Sequence, residues 1–135
     1  KKRTTIITNA FYDLNGKKQF EIKETNEIDT ITEVTTDFVG IVIRNNGGTR
    51  FGTIINKQGE YQFEPIKGVK KLEKVGENKF FISYSNENGE GEYVCNEKGE
   101  KLFDATSMTK YENGYAIKDN TNYVDENGMI LKIIE

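Results

Sequence analysis

The chain has 135 residues, with 19 lysine plus arginine against 22 aspartate plus glutamate, a formal charge of −3, one cysteine, and no histidine or tryptophan. That length suits one domain or one short repeat array. Zero histidine excludes Ser-His-Asp and Cys-His catalysis, a single cysteine excludes an intrachain disulfide and a thiolate metal cage, and the mild acidity argues against nucleic acid as a partner.

Lys1-Lys2-Arg3-Thr4-Thr5 is basic, but no apolar run follows it, so it is not the pattern of a signal peptide. No stretch reaches 18 consecutive apolar residues, and no membrane insertion is expected. The missing initiator methionine suggests a processed protein or a piece of a longer one.

Thr5-Ile6-Ile7 reads as a strand, Thr8-Asn9-Ala10 as a joining turn, and Phe11-Tyr12 as a second strand. Asp13-Leu14-Asn15-Gly16 then carries the Asx-x-x-Gly signature of a type I turn, and Phe20 opens the return strand. The same succession recurs as Ile41-Val42-Ile43, Asn45-Asn46-Gly47-Gly48, Ile54-Ile55, Asn56-Lys57-Gln58-Gly59, then Tyr61 and Phe63. It recurs again as Phe80-Phe81-Ile82, Asn86-Glu87-Asn88-Gly89, Val94-Cys95, Asn96-Glu97-Lys98-Gly99 and Leu102-Phe103. The last copy is Tyr115-Ala116-Ile117, Asp119-Asn120-Thr121, Tyr123-Val124, Asp125-Glu126-Asn127-Gly128 and Ile130-Leu131.

The linkers repeat as well. Ile28, Ile31 and Val34 stand three apart, as do Ile66, Val69 and Leu72, and Ala105, Met108 and Tyr111. This spacing fits a short helical or 3₁₀ turn, or an irregular strand, laid across a core. The expected fold is all-β: four repeated three-stranded antiparallel meanders at about 4–22, 39–64, 79–104 and 114–135 within one domain. The units form either a propeller-like ring or an open superhelical array. A lone meander buries too little apolar surface to stand by itself, so units must stack.

Arg50-Phe51-Gly52-Thr53-Ile54-Ile55-Asn56-Lys57-Gln58-Gly59-Glu60 resembles the core of a bacterial WG repeat: an aromatic residue with glycine, a hydrophobic strand, and an Asx-x-x-Gly turn. Lys110-Tyr111-Glu112-Asn113-Gly114-Tyr115-Ala116-Ile117-Lys118 is similar to the other half of such a repeat, and Asn122 to Gly128 again resembles the turn strand. The chain departs from the pattern in having no tryptophan, and only Phe51-Gly52 keeps the aromatic-glycine pair. The resemblance implies a propeller-like or superhelical β array in a bacterial surface protein, with no catalytic residues.

Candidate sites have a structural reading beside the functional one. Asp13/Asn15 and Asp125/Asn127 have the Asx spacing of a calcium loop, but lack further carboxylates and match the turn formers of the other copies. No metal site is expected. Cys95 has no histidine to activate it and occupies the slot of Tyr12, Ile55 and Val124, so a core role is expected. Two carboxylates suffice for glycoside hydrolysis, but no acidic pair stands out in an aromatic setting. Lys67, Lys70, Lys71, Lys74 and Lys79 are interrupted by Glu64, Glu73 and Glu77, as on a solvated face. Asn45 to Gly48 is a hairpin turn, with no lysine-serine/threonine following it as a phosphate loop requires.

Among the seven tyrosines and eight phenylalanines, Tyr61 and Tyr84 alternate with apolar neighbours and are the candidate binding surface. The expected function is a non-enzymatic β-repeat module for a protein, peptide or glycan partner, with no cofactor. A structural spacer in a larger bacterial protein is the alternative, and a carboxylate-based hydrolase the third reading. The lysine-, asparagine- and isoleucine-rich composition suits a bacterium with an AT-rich genome, and an extracytoplasmic or cell-surface location is favoured.

Overall fold

A computed structural model describes residues 7–12, 14–24, 26–106, 108–109, 111–112, 114–119 and 122–133. The fold is all-β and antiparallel, with no helix among the described residues. Strands β1 (Ile7–Tyr12) and β2 (Lys18–Glu24) form a first sheet. The second holds β3 (Glu27–Ile31), β4 (Phe38–Arg44), β5 (Arg50–Asn56) and β6 (Ile66–Lys67), paired in chain order. The third holds β7 (Val69–Gly76), β8 (Lys79–Asn86), β9 (Gly89–Asn96) and β10 (Lys101–Asp104), and the fourth β11 (Ala116–Lys118), β12 (Asn122–Val124) and β13 (Ile130–Ile133).

The Asx-x-x-Gly turns share one geometry, whereas Thr8-Asn9-Ala10, expected as a joining turn, lies within β1, whose pairing with β2 runs through it, so the first sheet has two strands among the described residues. Gly59, Gly99 and Gly128 donate their N–H to the carbonyls of Asn56, Asn96 and Asp125 at 3.0–3.1 Å. The Oδ1 of each Asx residue accepts the N–H groups two and four positions on, at 2.9–3.0 Å. With Gly16 included, the glycine φ angles lie between 77° and 83°, a region costly for any residue with a Cβ. Tyr12 pairs with Lys18, Ile55 with Tyr61, Cys95 with Lys101 and Val124 with Ile130, so every one of these turns closes over the same loop length.

The strand count corrects the expected meander. Two sheets have four strands because linker segments, placed between units by the sequence, are themselves strands, β3 and β6 in the second sheet and β7 in the third; the return strand expected at Tyr61 and Phe63 is reduced to an isolated bridge at Tyr61. Ile28 and Ile31 pair with Ile43 and Ile41, and Val69 and Leu72 pair with Tyr84 and Ile82. Three steps on the linker strand thus match two on its neighbour, with a bulge between. The spacing of three that resembled a helical turn is the period of two plus one bulged residue. The corresponding edge of the fourth sheet is, among the described residues, two isolated bridges, Met108–Lys118 and Glu112–Tyr115. The sheets extend over 7–24, 27–67, 69–104 and 116–133; against three strands expected in each, the first has two, the second and third four, and the last three among the described residues.

Alternation along the strands gives the central sheets two buried faces. Val39, Ile41 and Ile43 of β4 pack with Phe20 and Ile22 of the first sheet. Val42, on the opposite face, packs with Val69, Leu72, Phe80, Ile82 and Cys95 of the third. Phe81 points the other way from Phe80 and joins Val75, Val94 and Ala105, with Met108 and Tyr111 against them. The first three sheets therefore stack in chain order, and each fully buried large side chain contributes roughly 1.5–3 kcal/mol relative to exposure.

Aromatic residues join successive sheets at the turns. A Cβ on Gly99 would stand 2.7 Å from the Phe63 ring, and one on Gly128 2.7 Å from the Phe103 ring. Phe63 and Phe103 thus rest on the turn glycine of the next sheet, where a side chain would displace them. Gly68, at φ 77°, is a crossing point: its N–H donates to Arg50 of the second sheet and its carbonyl accepts from Ser85 of the third.

Candidate functional site

An apolar surface depression lies at the seam of the first and second sheets. Asn26, Ile43, Asn45, Phe51, Tyr61, Glu64 and Pro65 line it, over about 360 Å³. Ile43 and Phe51 face each other across β4 and β5 and form its apolar wall. Tyr61 follows the Asn56–Gly59 turn, where its bridge to Ile55 fixes the backbone. Its side chain is 43% exposed, and its hydroxyl donates to Glu24 Oε2.

Glu24 ends β2 and is 5% exposed. Its Oε1 accepts the backbone N–H of Asn26 at 3.3 Å and the Asn26 side-chain amide at 3.2 Å. Burial, together with the hydrogen bond to this carboxylate and its charge, pushes the Tyr61 phenol above the ordinary tyrosine range. The ring is thereby held at its tip while much of its surface stays open to solvent, as a stacking platform requires. Strand alternation sends Arg44 and Arg50 to the other face of the sheet. There Arg44 donates to Asp29 at 2.9 Å, and Arg50 Nε lies 2.9 Å from the other carboxylate oxygen without hydrogen-bond alignment.

Tyr84 sits in a different setting. Its ring packs over Gly91, where a Cβ would be 2.9 Å away, and meets Tyr93 edge to face at 6.2 Å and 78°. It borders a depression of about 350 Å³ with Lys70, Ser83, Glu90, Glu92 and Thr106, a polar rim of both charges. The structure therefore leaves Tyr61 and Tyr84 on separate surfaces: Tyr61 is exposed in an aromatic groove, and Tyr84 is half-buried against the core between the second and third sheets.

The other sequence candidates fall within the framework. Cys95 is fully buried in that core, and burial pushes its thiol up to about 12. Asp125 Oδ1 is engaged by two backbone N–H groups of its own turn, and Asn127 accepts from Lys79. Asp13 lies outside the described residues. Among the described residues no three acidic or cysteine side chains are grouped to hold a metal ion. Of the basic stretch, Lys67 pairs with Glu87 at 3.1 Å, Lys79 with Glu126 at 3.5 Å, and Lys74 donates to the Val34 carbonyl at 3.2 Å. Asn45 builds a turn like the others, with its Oδ1 accepting from Gly47 and Thr49 at 2.9–3.0 Å.

Sequence reasoning missed Glu24 and left Phe51 as a motif residue. Glu24 reaches Tyr61 across 37 positions, and nothing local distinguishes it from the other acids. Alternation with Phe20 and Ile22, both buried, was the available signal, since it places Glu24 on the same inward face. Comparison with protein-family models, curated proteins and solved structures gives no match.

Proposed function

We propose that this chain is a non-enzymatic β-repeat interaction module, four stacked copies of one strand cassette of the WG-repeat kind, in a propeller-like or open superhelical array. The common closing pair of the four turns, the matched bulges of β3 and β7, and the Phe63–Gly99 and Phe103–Gly128 contacts support the repeat. A protein, peptide or glycan partner engages the groove at the seam of the first and second sheets. The observation that carries this reading is the Tyr61 ring, anchored through its hydroxyl to buried Glu24 and left 43% exposed beside Phe51. An aromatic kept in place and open is suited to contact with a partner, because little side-chain freedom remains to be lost on binding.

Titrating the ¹⁵N-labelled chain with a panel of short peptides and oligosaccharides tests the reading. Shifts confined to Asn26, Phe51, Tyr61 and their neighbours are expected. A panel that moves no resonance anywhere supports the spacer reading instead.

A further inference from the structure

We infer that the Tyr61 groove receives an arginine side chain presented by a partner polypeptide, an assignment that rests on the interaction reading above. Charge and the aromatic faces favour this ligand. Asn26 spends one of its two amide N–H groups on Glu24, and Asn45 spends its Oδ1 on two backbone N–H groups. What the lining offers a ligand is then the Asn26 carbonyl oxygen with its second N–H, the exposed Glu64 carboxylate and the amide N–H groups of Asn45. The charged group of the lining is the Glu64 carboxylate, and the lining includes no lysine or arginine among the described residues. The nearest arginines, Arg44 and Arg50, are directed to the opposite face and tied to Asp29.

A guanidinium brings the complementary positive charge and N–H donors for the Glu64 and Asn26 oxygens, whereas a sugar hydroxyl brings no charge. Its plane stacks on an aromatic face, and Tyr61 and Phe51 supply two. Glu64 supplies the counter-charge. A groove of about 360 Å³ holds one such side chain with part of its backbone.

The test uses the full chain, ¹⁵N-labelled, and three probes: a capped Gly-Gly-Arg-Gly-Gly peptide, its citrulline counterpart, and maltotriose. The arginine peptide should move Asn26, Asn45, Phe51 and Tyr61, and bind at least about fivefold more tightly than the citrulline peptide. Glu64→Gln, at an exposed position that leaves the fold intact, should weaken the arginine peptide by about threefold or more and flatten its salt dependence. Tyr61→Leu should abolish the ring-current shifts. Equal binding of arginine and citrulline peptides overturns the assignment. Maltotriose binding in the groove without the arginine peptide overturns it too, but leaves the interaction reading standing. Silence from all three probes at the groove overturns both.

Discussion

The second and third sheets place different residues at matching positions, and the difference accounts for the groove that holds Phe51 and Tyr61. In the second sheet Ile43 faces Phe51; in the third, at the matching pair, Tyr84 faces Gly91. Moving the aromatic from β5 to β8 changes what it can touch. The Tyr84 ring lies over a glycine and against Tyr93, filling its own seam. Phe51 instead lines one depression with Tyr61, and where Tyr61 follows its turn the third sheet has Lys101. One backbone pattern thus supports a closed seam or an open one, depending on which strand carries the bulk.

The largest effect expected from testing this contrast is at Phe51. Phe51→Ala removes the groove wall and should cost about 3 kcal/mol in denaturant unfolding. A loss below about 1 kcal/mol would mean that the ring does not pack against the core of the first two sheets. Next comes Gly99→Ala, which adds strain at φ 79° and a methyl 2.7 Å from the Phe63 ring. It should cost about 2 kcal/mol or more, against about 1 kcal/mol for Gly48→Ala, where φ is 81° but no atom lies within 4 Å. Equal losses would deny the Phe63 contact.

Tyr61→Phe removes a donor from a buried carboxylate, and a loss of about 1–2 kcal/mol is expected at neutral pH. The same bond has a pH signature. A phenol held neutral in the folded chain and free to ionise in the unfolded one contributes stability in full below pH about 10, and that contribution falls as pH rises further. Burial pushes Tyr93 and Tyr111 up to about 12 as well, so the alkaline loss is shared. Phenolate absorbance should rise late for these residues, and Tyr61→Phe should lessen the alkaline destabilisation; an unchanged pH profile would contradict the Tyr61–Glu24 bond. Smallest is Gly91→Ala, whose methyl would stand 2.9 Å from the Tyr84 ring. A cost of about 1 kcal/mol is expected, with ring-current shifts reporting that Tyr84 has tilted away from Tyr93. Unmoved resonances would show that the ring does not close that seam.

The turns were legible in the sequence because Asx-x-x-Gly is a local signal: the side-chain oxygen and the positive φ act within five residues, as at Asn56–Glu60 and Asn96–Glu100. The strands leading into them were legible from their apolar runs, but the return at Tyr61 and Phe63 is only a bridge, and β1 runs unbroken through Thr8-Asn9-Ala10, because polar residues there continue the ladder with β2. The linkers were ambiguous because a bulge shifts a strand's period from two to three, so Ile28/Ile31 and Val69/Leu72 match a helical turn and a bulged strand alike. Counting those segments outside the units left out β3 and β6 of the second sheet and β7 of the third. The exposure of Tyr61 follows from its place after a turn, but its bond to Glu24 depends on how two sheets pack, which no local pattern carries.

Native-state hydrogen exchange tests the stacked arrangement most directly. If the two central sheets are buried on both faces, amides of β4, β5, β8 and β9 should exchange only through global unfolding, with protection falling toward β1–β2 on one side and β11–β13 on the other. Protection that peaks in β12, or that separates β4–β5 from β8–β9 into independently opening units, would contradict a continuous stack.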